Sequence, residues 1–355
     1  MDGNQNLDLV SILHAMRTRV PWMVGQRILK AANFPRGKGW DLTIAKILEG
    51  QWVSGEVASL LRAYKEHLIC GEKSVTFLQI EDEQCDSLRG KLANLSIPGS
   101  PMATAYPFPI PPKELEQASM SLPQPVAVER HEDGLALILS SIREIEVREK
   151  IPVSSLPDST AKVLAGFATI YGIKVIKRQT FDVLWVPHHS NIVSMRVDCA
   201  VQQPIEQTTQ EHDLVRSTLT RMFRDDFSGK PVNLFPLIDL LYRDDTKGKV
   251  TELGFWTNSD SMKHEKMKSA GTCLREEPYH IAGSGALSEA IQPYRIQIEW
   301  THQIAADAFT NPELSIIGRS EMLEFPGAVL LNATLRKCAG IADFEAICDT
   351  LLDLL

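Results

Sequence analysis

Nine polar side chains crowd one stretch of this 355-residue chain: Lys263, His264, Lys266, Lys268, Arg275, Glu276, Glu277, Tyr279 and His280. Imidazoles beside carboxylates are what proton transfer requires, and a run of cations is what a phosphate polymer would meet. Trp256, Tyr279 or His280 could stack on bases. Against both, Glu265, Glu276 and Glu277 dilute the charge, and a solvated face accounts for the pattern with less.

Asp182 and Asp198 sit on neighbouring expected strands, close enough to share a divalent cation. Two carboxylates need a third ligand, and none is spaced to supply it. His188 and His189 are adjacent, so in an extended segment they point opposite ways and only one can face a given site. The phosphate-loop spellings GxxxxGK[ST] and GxGxxG are absent, and Gly283-Ser-Gly285 reads as a turn. No GxSxG, HExxH or HxE…CxxC occurs. A restriction-type nuclease needs an acid and then Glu-x-Lys, whereas Glu72-Lys73 and Glu265-Lys266 are adjacent pairs. No catalytic residue, metal ligand or cofactor is therefore expected, and the balance leans away from an enzyme.

The net charge of −8 is unevenly spread, because residues 1–80 carry ten Lys and Arg against seven Asp and Glu. Arg17, Arg19, Arg27, Lys30, Arg36 and Lys38 face only Asp2 and Asp8 within the first forty residues, and Lys46 follows. A basic front on an acidic body places any polyanion contact at the front. A solvated helix face is the plainer alternative.

The elements that must position these residues follow from periodicity and breakers. Leu9, Ile12, Leu13 and Met16 have helical spacing. Pro21 opens a second helix, Asp41 caps a third that ends at Gly50, and a fourth runs from Ser54 to Leu68. Ser74–Ile80 alternates like a strand. Four helices and a strand are compatible with a winged-helix fold, with the break at Gly37–Gly39 as its turn and the helix from Asp41 as its reader. That helix offers only Thr43 and Lys46 as outward polar groups.

Eight prolines between residues 96 and 125 favour extended polyproline conformation over a regular element. Beyond them, Glu132–Arg148 reads as an amphipathic helix. Asp158 or Ser159 starts another that reaches Tyr171. Ile173–Arg178, Phe181–Val186 and Ile192–Val197 read as three strands, and Glu211–Arg224 as a helix. Phe235–Tyr242 and Val250–Trp256 begin a third region, with strands at Arg295–Trp300, Leu314–Ile317 and Val329–Leu335 and a final helix from Ala342.

The expected fold class is thus α+β: a helical module over 1–96, a Pro-rich linker over 97–127, a helix-plus-meander unit over 128–230 and a C-terminal α+β unit over 231–355. The six scattered cysteines read as reduced and buried, and no run of 18 apolar residues predicts a membrane span. The amino terminus lacks the basic and apolar regions of a signal peptide, so a cytoplasmic location is expected.

Pro-linked domains without a catalytic signature suggest a non-enzymatic nucleic-acid-binding or adaptor subunit of a larger complex, of the DNA-processing or phage-defence kind. Its cations would be Arg17, Arg19, Arg27, Lys30, Arg36, Lys38, Lys46, Lys263, His264, Lys266, Lys268 and Arg275. Its partners would be other proteins, with nucleic acid as an additional one, and the sequence does not fix an oligomeric state. The alternatives are an enzyme with a site around His264–His280 and a protein–protein scaffold without nucleic acid.

Overall fold

The computed structural model describes residues 2–199, 205–257, 259, 261–269 and 271–355. Its first elements are four helices, α1 (Asp2–Arg19), α2 (Trp22–Ala31), α3 (Trp40–Leu48) and α4 (Ser54–Cys70), followed by strand β1 (Lys73–Gln79). Leu9, Ile12, Leu13 and Met16 are buried, as their spacing requires. Helix α3 starts one residue before Asp41: Gly39, at φ 90°, is its N-cap, a conformation that a side chain resists.

Next come α5 (Asp82–Ala93), α6 (Pro101–Ala105), α7 (Pro112–Gln117), β2 (Gln124–Arg130), β3 (Gly134–Ile151), α8 (Asp158–Val163), β4 (Ile170–Pro187), β5 (Ile192–Asp198) and α9 (Ile205–Phe223). The remainder holds β6 (Lys230–Pro231), α10 (Leu237–Arg243), β7 (Lys249–Trp256), β8 (Met262–Lys266), α11 (Pro278–Gly285), β9 (Gln292–Glu299), β10 (His302–Ala305), β11 (Ala308–Thr310), β12 (Glu313–Ile317), β13 (Ala333–Arg336) and α12 (Ile341–Leu352).

The fold is mixed α+β, built on one large antiparallel sheet in the order β2-β3-β4-β5-β1-β13-β12-β9-β7-β8, with β6 beside β1 and a separate β10-β11 hairpin. Strand β1, from the leading segment, lies between β5 and β13 in the middle of that sheet.

Three expectations are corrected. Glu132–Arg148 is not a helix but most of β3, which pairs with β4 over eighteen residues from Gly134↔Pro187 to Ile151↔Ile170. Its odd residues Leu135, Leu137 and Leu139 pack under α5 and α9, while Ala136 and Ile138 pack under α1–α4. A strand covered on both faces is continuously apolar, and periodicity alone cannot separate that from a buried helix. The second expected helix stops at Val163, and the two strands expected after it are one strand, β4. The Pro-rich stretch does hold regular elements: α6 and α7 start on Pro101 and Pro112, at the first-turn position where a missing N–H has no consequence.

All six cysteines are buried. Among the described residues no helix is long and apolar enough to cross a membrane. Arg196 on β5 is fully buried, 2.6 Å from Glu345 of α12 and stacked on Trp185 and Phe344.

Helix packing at the front is set by Gly25, where an added Cβ would run into the Trp40 ring. Overpacking predicts that Gly25→Ala lowers unfolding free energy by about 1–3 kcal/mol in denaturant titration. Gly55→Ala, with open space around its Cβ and a helical position in α4, is neutral or raises stability by up to about 1 kcal/mol.

Candidate functional site

The densest charge in the interior lies where α1 meets the sheet. Arg19, the last residue of α1, donates to the Gln179 carbonyl at 2.8 Å and pairs with Asp198 of β5. Lys73 of β1 reaches the same carboxylate at 2.5 Å and the Phe181 carbonyl at 2.5 Å. The Phe181 N–H donates to Asp198 at 2.7 Å, and the Asp198 N–H donates to Asp182 at 3.0 Å. Asp182 pairs with Arg143 of β3, which also lies 3.3 Å from Glu211.

The two aspartates picked from the sequence do meet, but their oxygens are taken by cations and N–H groups. Among the described residues no group of three candidate metal ligands occurs. Burial acts to raise the Asp198 pKa, yet Arg19, Lys73 and Arg178 outweigh it and hold the carboxyl far below the usual range. At Asp182 burial wins over Arg143, and the pKa rises.

Beside this cluster a cavity of about 320 Å³ is lined by Arg17, Arg19, Arg178, Trp22, Trp40, Glu72 and Cys199. Arg17 is tied to Asp41 at 2.8 Å in an exposed pair. Arg178 has no carboxylate within ion-pair distance among the described residues, and burial followed by repulsion from Arg19 lowers its pKa. Trp22 and Trp40 meet edge to face at 5.4 Å, with the Trp40 indole N–H held by the Val20 carbonyl at 3.1 Å. Three guanidinium groups and two indoles around one opening can hold a phosphate and stack a ring beside it. Arg178 escaped the sequence reading because it sits mid-strand in β4, far along the chain from the basic front.

The other front cations lie apart from that opening. Lys30 pairs with Asp307 at 3.0 Å and ties α2 to the β10–β11 hairpin, and Arg36 lies within electrostatic reach of the same carboxylate. The Lys46 ammonium is 3.4 Å from the Arg36 carbonyl, which groups Arg36 and Lys46. Arg36, Lys38 and Lys46 are exposed and Arg27 is half-buried, none with a carboxylate partner among the described residues.

The stretch from Lys263 to His280 divides among three jobs. His264, Lys266 and Arg295 converge on Glu252 at 2.9, 2.8 and 2.5 Å. His280 is buried with both ring nitrogens engaged, to Tyr242 Oη at 2.8 Å and Glu265 at 2.6 Å. Arg275 donates to the carbonyls of Leu241, Tyr242 and Gly248 and closes the end of α10. Lys263 and Lys268 remain exposed, Lys263 on the edge strand β8.

A second cavity, about 1070 Å³, opens between α2, α4, the β10–β11 hairpin and the start of α12. An imidazole oriented by a carboxylate lies on its wall: His302 Nδ1 is 3.3 Å from Asp343, which Thr310 and the Ala339 N–H also hold, at 3.0 and 2.9 Å. Ser59, Glu56, Glu66 and Arg62 share that wall. Sequence reasoning passed over His302 because its partner is 41 residues away.

Two buried histidines make acid sensitivity measurable. Burial, then Arg143, lowers His212 to about 3. Burial, then Arg19 and Lys73, lowers His67 to about 4. Unfolding frees both to bind protons near pH 6.5, so stability is full above that value and falls as pH drops toward 4. The expected slope is up to about 1.4 kcal/mol per pH unit for each histidine. Below about pH 4 the depressed Asp198 adds to the loss, because its unfolded carboxyl protonates first. Urea titrations at pH 7, 5.5 and 4.5 measure the slope, and His67→Gln removes about half of it. Comparison with family models and with curated proteins finds no match for this chain.

Proposed function

We propose that this chain is a non-enzymatic nucleic-acid-binding or adaptor subunit of a larger cytoplasmic complex, of the DNA-processing or phage-defence kind. One observation carries the reading. Arg17, Arg19 and Arg178 line a single small cavity with Trp22 and Trp40, and Arg178 has no carboxylate partner among the described residues. Arg27, Arg36, Lys38 and Lys46, with no carboxylate within ion-pair distance among the described residues, extend positive charge over the same helical layer. A phosphate at Arg178 and Arg17, with a base against the indoles, is the contact this chemistry favours.

Labelled duplex DNA, single-stranded DNA and RNA titrated against the full chain at 50 and 200 mM salt test the reading. Binding weakens steeply with salt, and Arg17→Gln with Arg178→Gln lowers affinity by about tenfold or more and makes the salt slope shallower. Arg19 is left intact because it holds Asp198. Failure of all three polymers to bind, or binding indifferent to salt and to both variants, overturns it. A second reading, an enzyme, is favoured by the His302–Asp343 pair on the large cavity wall. In thermal-shift screening of small metabolites, a hit abolished by His302→Gln supports that reading.

A further inference from the structure

The outer half of the β3–β4 ribbon stands apart from the rest of the sheet. Strand β2 accompanies β3 only as far as Ser140, and Ser121 then pairs with Ile142 through its N–H (3.2 Å) and hydroxyl (3.0 Å). Past that point the ribbon has two strands, and Tyr171, Ile173, Val175 and Ile176 are exposed on β4. An isolated two-stranded ribbon is marginal in water, and three or more strands are needed for independent stability.

Because Ile142 turns its N–H and carbonyl away from β4, strand alternation turns those of Glu144, Glu146, Arg148 and Lys150 the same way. One contact meets this edge among the described residues, Gln207 Nε2 at 3.5 Å from the Glu144 carbonyl. The four side chains share one face of the ribbon, beside Tyr171, Ile173 and Val175. None of the four makes an ion pair among the described residues, whereas Glu149, on the opposite face, pairs with Lys174 at 2.5 Å. Arg148 instead lies over the Tyr171 ring, 4.2 Å from its centre.

The order of charges along this edge, Glu-x-Glu-x-Arg-x-Lys, is its own complement when reversed. We infer that the ribbon pairs with a second copy of this chain, the β3 edges running antiparallel about a two-fold axis at Val147. In that register Glu144 lies opposite the partner's Lys150 and Glu146 opposite the partner's Arg148. All four carry outward N–H and carbonyl groups, so they form the hydrogen-bonded pairs of the ladder, and Val147 meets the partner's Val147 as the close pair between them. The contact is isologous and closed, so it ends at a dimer with a four-stranded ribbon. Any other register of the same edges sets like charges or unpaired charges against each other.

Sedimentation equilibrium of the full chain, with charge-reversed pairs, is the test. The wild type shows a monomer–dimer equilibrium. Glu144→Lys with Glu146→Lys leaves an all-positive edge, and Arg148→Glu with Lys150→Glu leaves an all-negative one. Each double variant self-associates at least tenfold more weakly, and an equimolar mixture of the two restores the dimer as a heterodimer, which a misfolded chain would not do. Val147→Cys, a half-exposed thiol in a chain whose own cysteines are buried, cross-links the paired chains on oxidation. A wild type that stays monomeric at every concentration overturns the inference, as do double variants that self-associate like wild type.

Discussion

Arg19, Lys73, Asp198, Asp182 and Arg143 form the interaction on which the arrangement of this molecule hangs. The five residues come from α1, β1, β5, β4 and β3, so one ionic cluster joins the leading helix, the central strand and the root of the long ribbon. A buried charge network is a poor source of net stability compared with apolar packing, but it is unforgiving: leaving one member unpaired costs about 3–5 kcal/mol. Its value lies in register. A slip of β4 against β5 by one residue would carry Asp182 from one face of the sheet to the other and strand both carboxylates away from their cations.

That cluster also explains why the cations at the front do different work despite their similar appearance in the sequence. Arg19 is spent internally, Lys30 fastens the β10–β11 hairpin to α2, and Arg275 satisfies the carbonyls that end α10. Arg178, by contrast, is held close to Arg19 with no carboxylate within ion-pair distance among the described residues. A partly desolvated guanidinium in that position is attracted to any anion that can enter the opening, because burial and repulsion from Arg19 outweigh the pull of Asp198 on it. At the β7–β8 end of the sheet, Glu252 draws together His264, Lys266 and Arg295, so much of that polar stretch braces the sheet edge formed by β7, β8 and β9.

The candidate site was only partly legible. Arg17 and Arg19 are found by counting charge near the amino terminus, and Asp182 and Asp198 by noticing acids on adjacent strands. Arg178 and His302 could not be found this way. Each acquires its environment from residues distant in the chain, and neither carries a local spacing that distinguishes it from a surface residue. For His280 the sequence points to an accessible imidazole, and the structure buries it between Tyr242, Glu265 and Phe255.

Local physics determined the α1–α4 run, the strand after it, the mixed α+β class and the burial of the cysteines, because helical spacing, breakers and apolar content act over a few residues. Tertiary structure alone decided that the apolar run at Leu135–Ile142 is a strand, since coverage by α1–α4 on one face and by α5 and α9 on the other removes the alternation that would mark it. It also decided that β1 is threaded between β5 and β13 and which cations are left unpaired. Those outcomes depend on pairings between residues up to 277 positions apart, as between Lys30 and Asp307, and no window of sequence contains both partners.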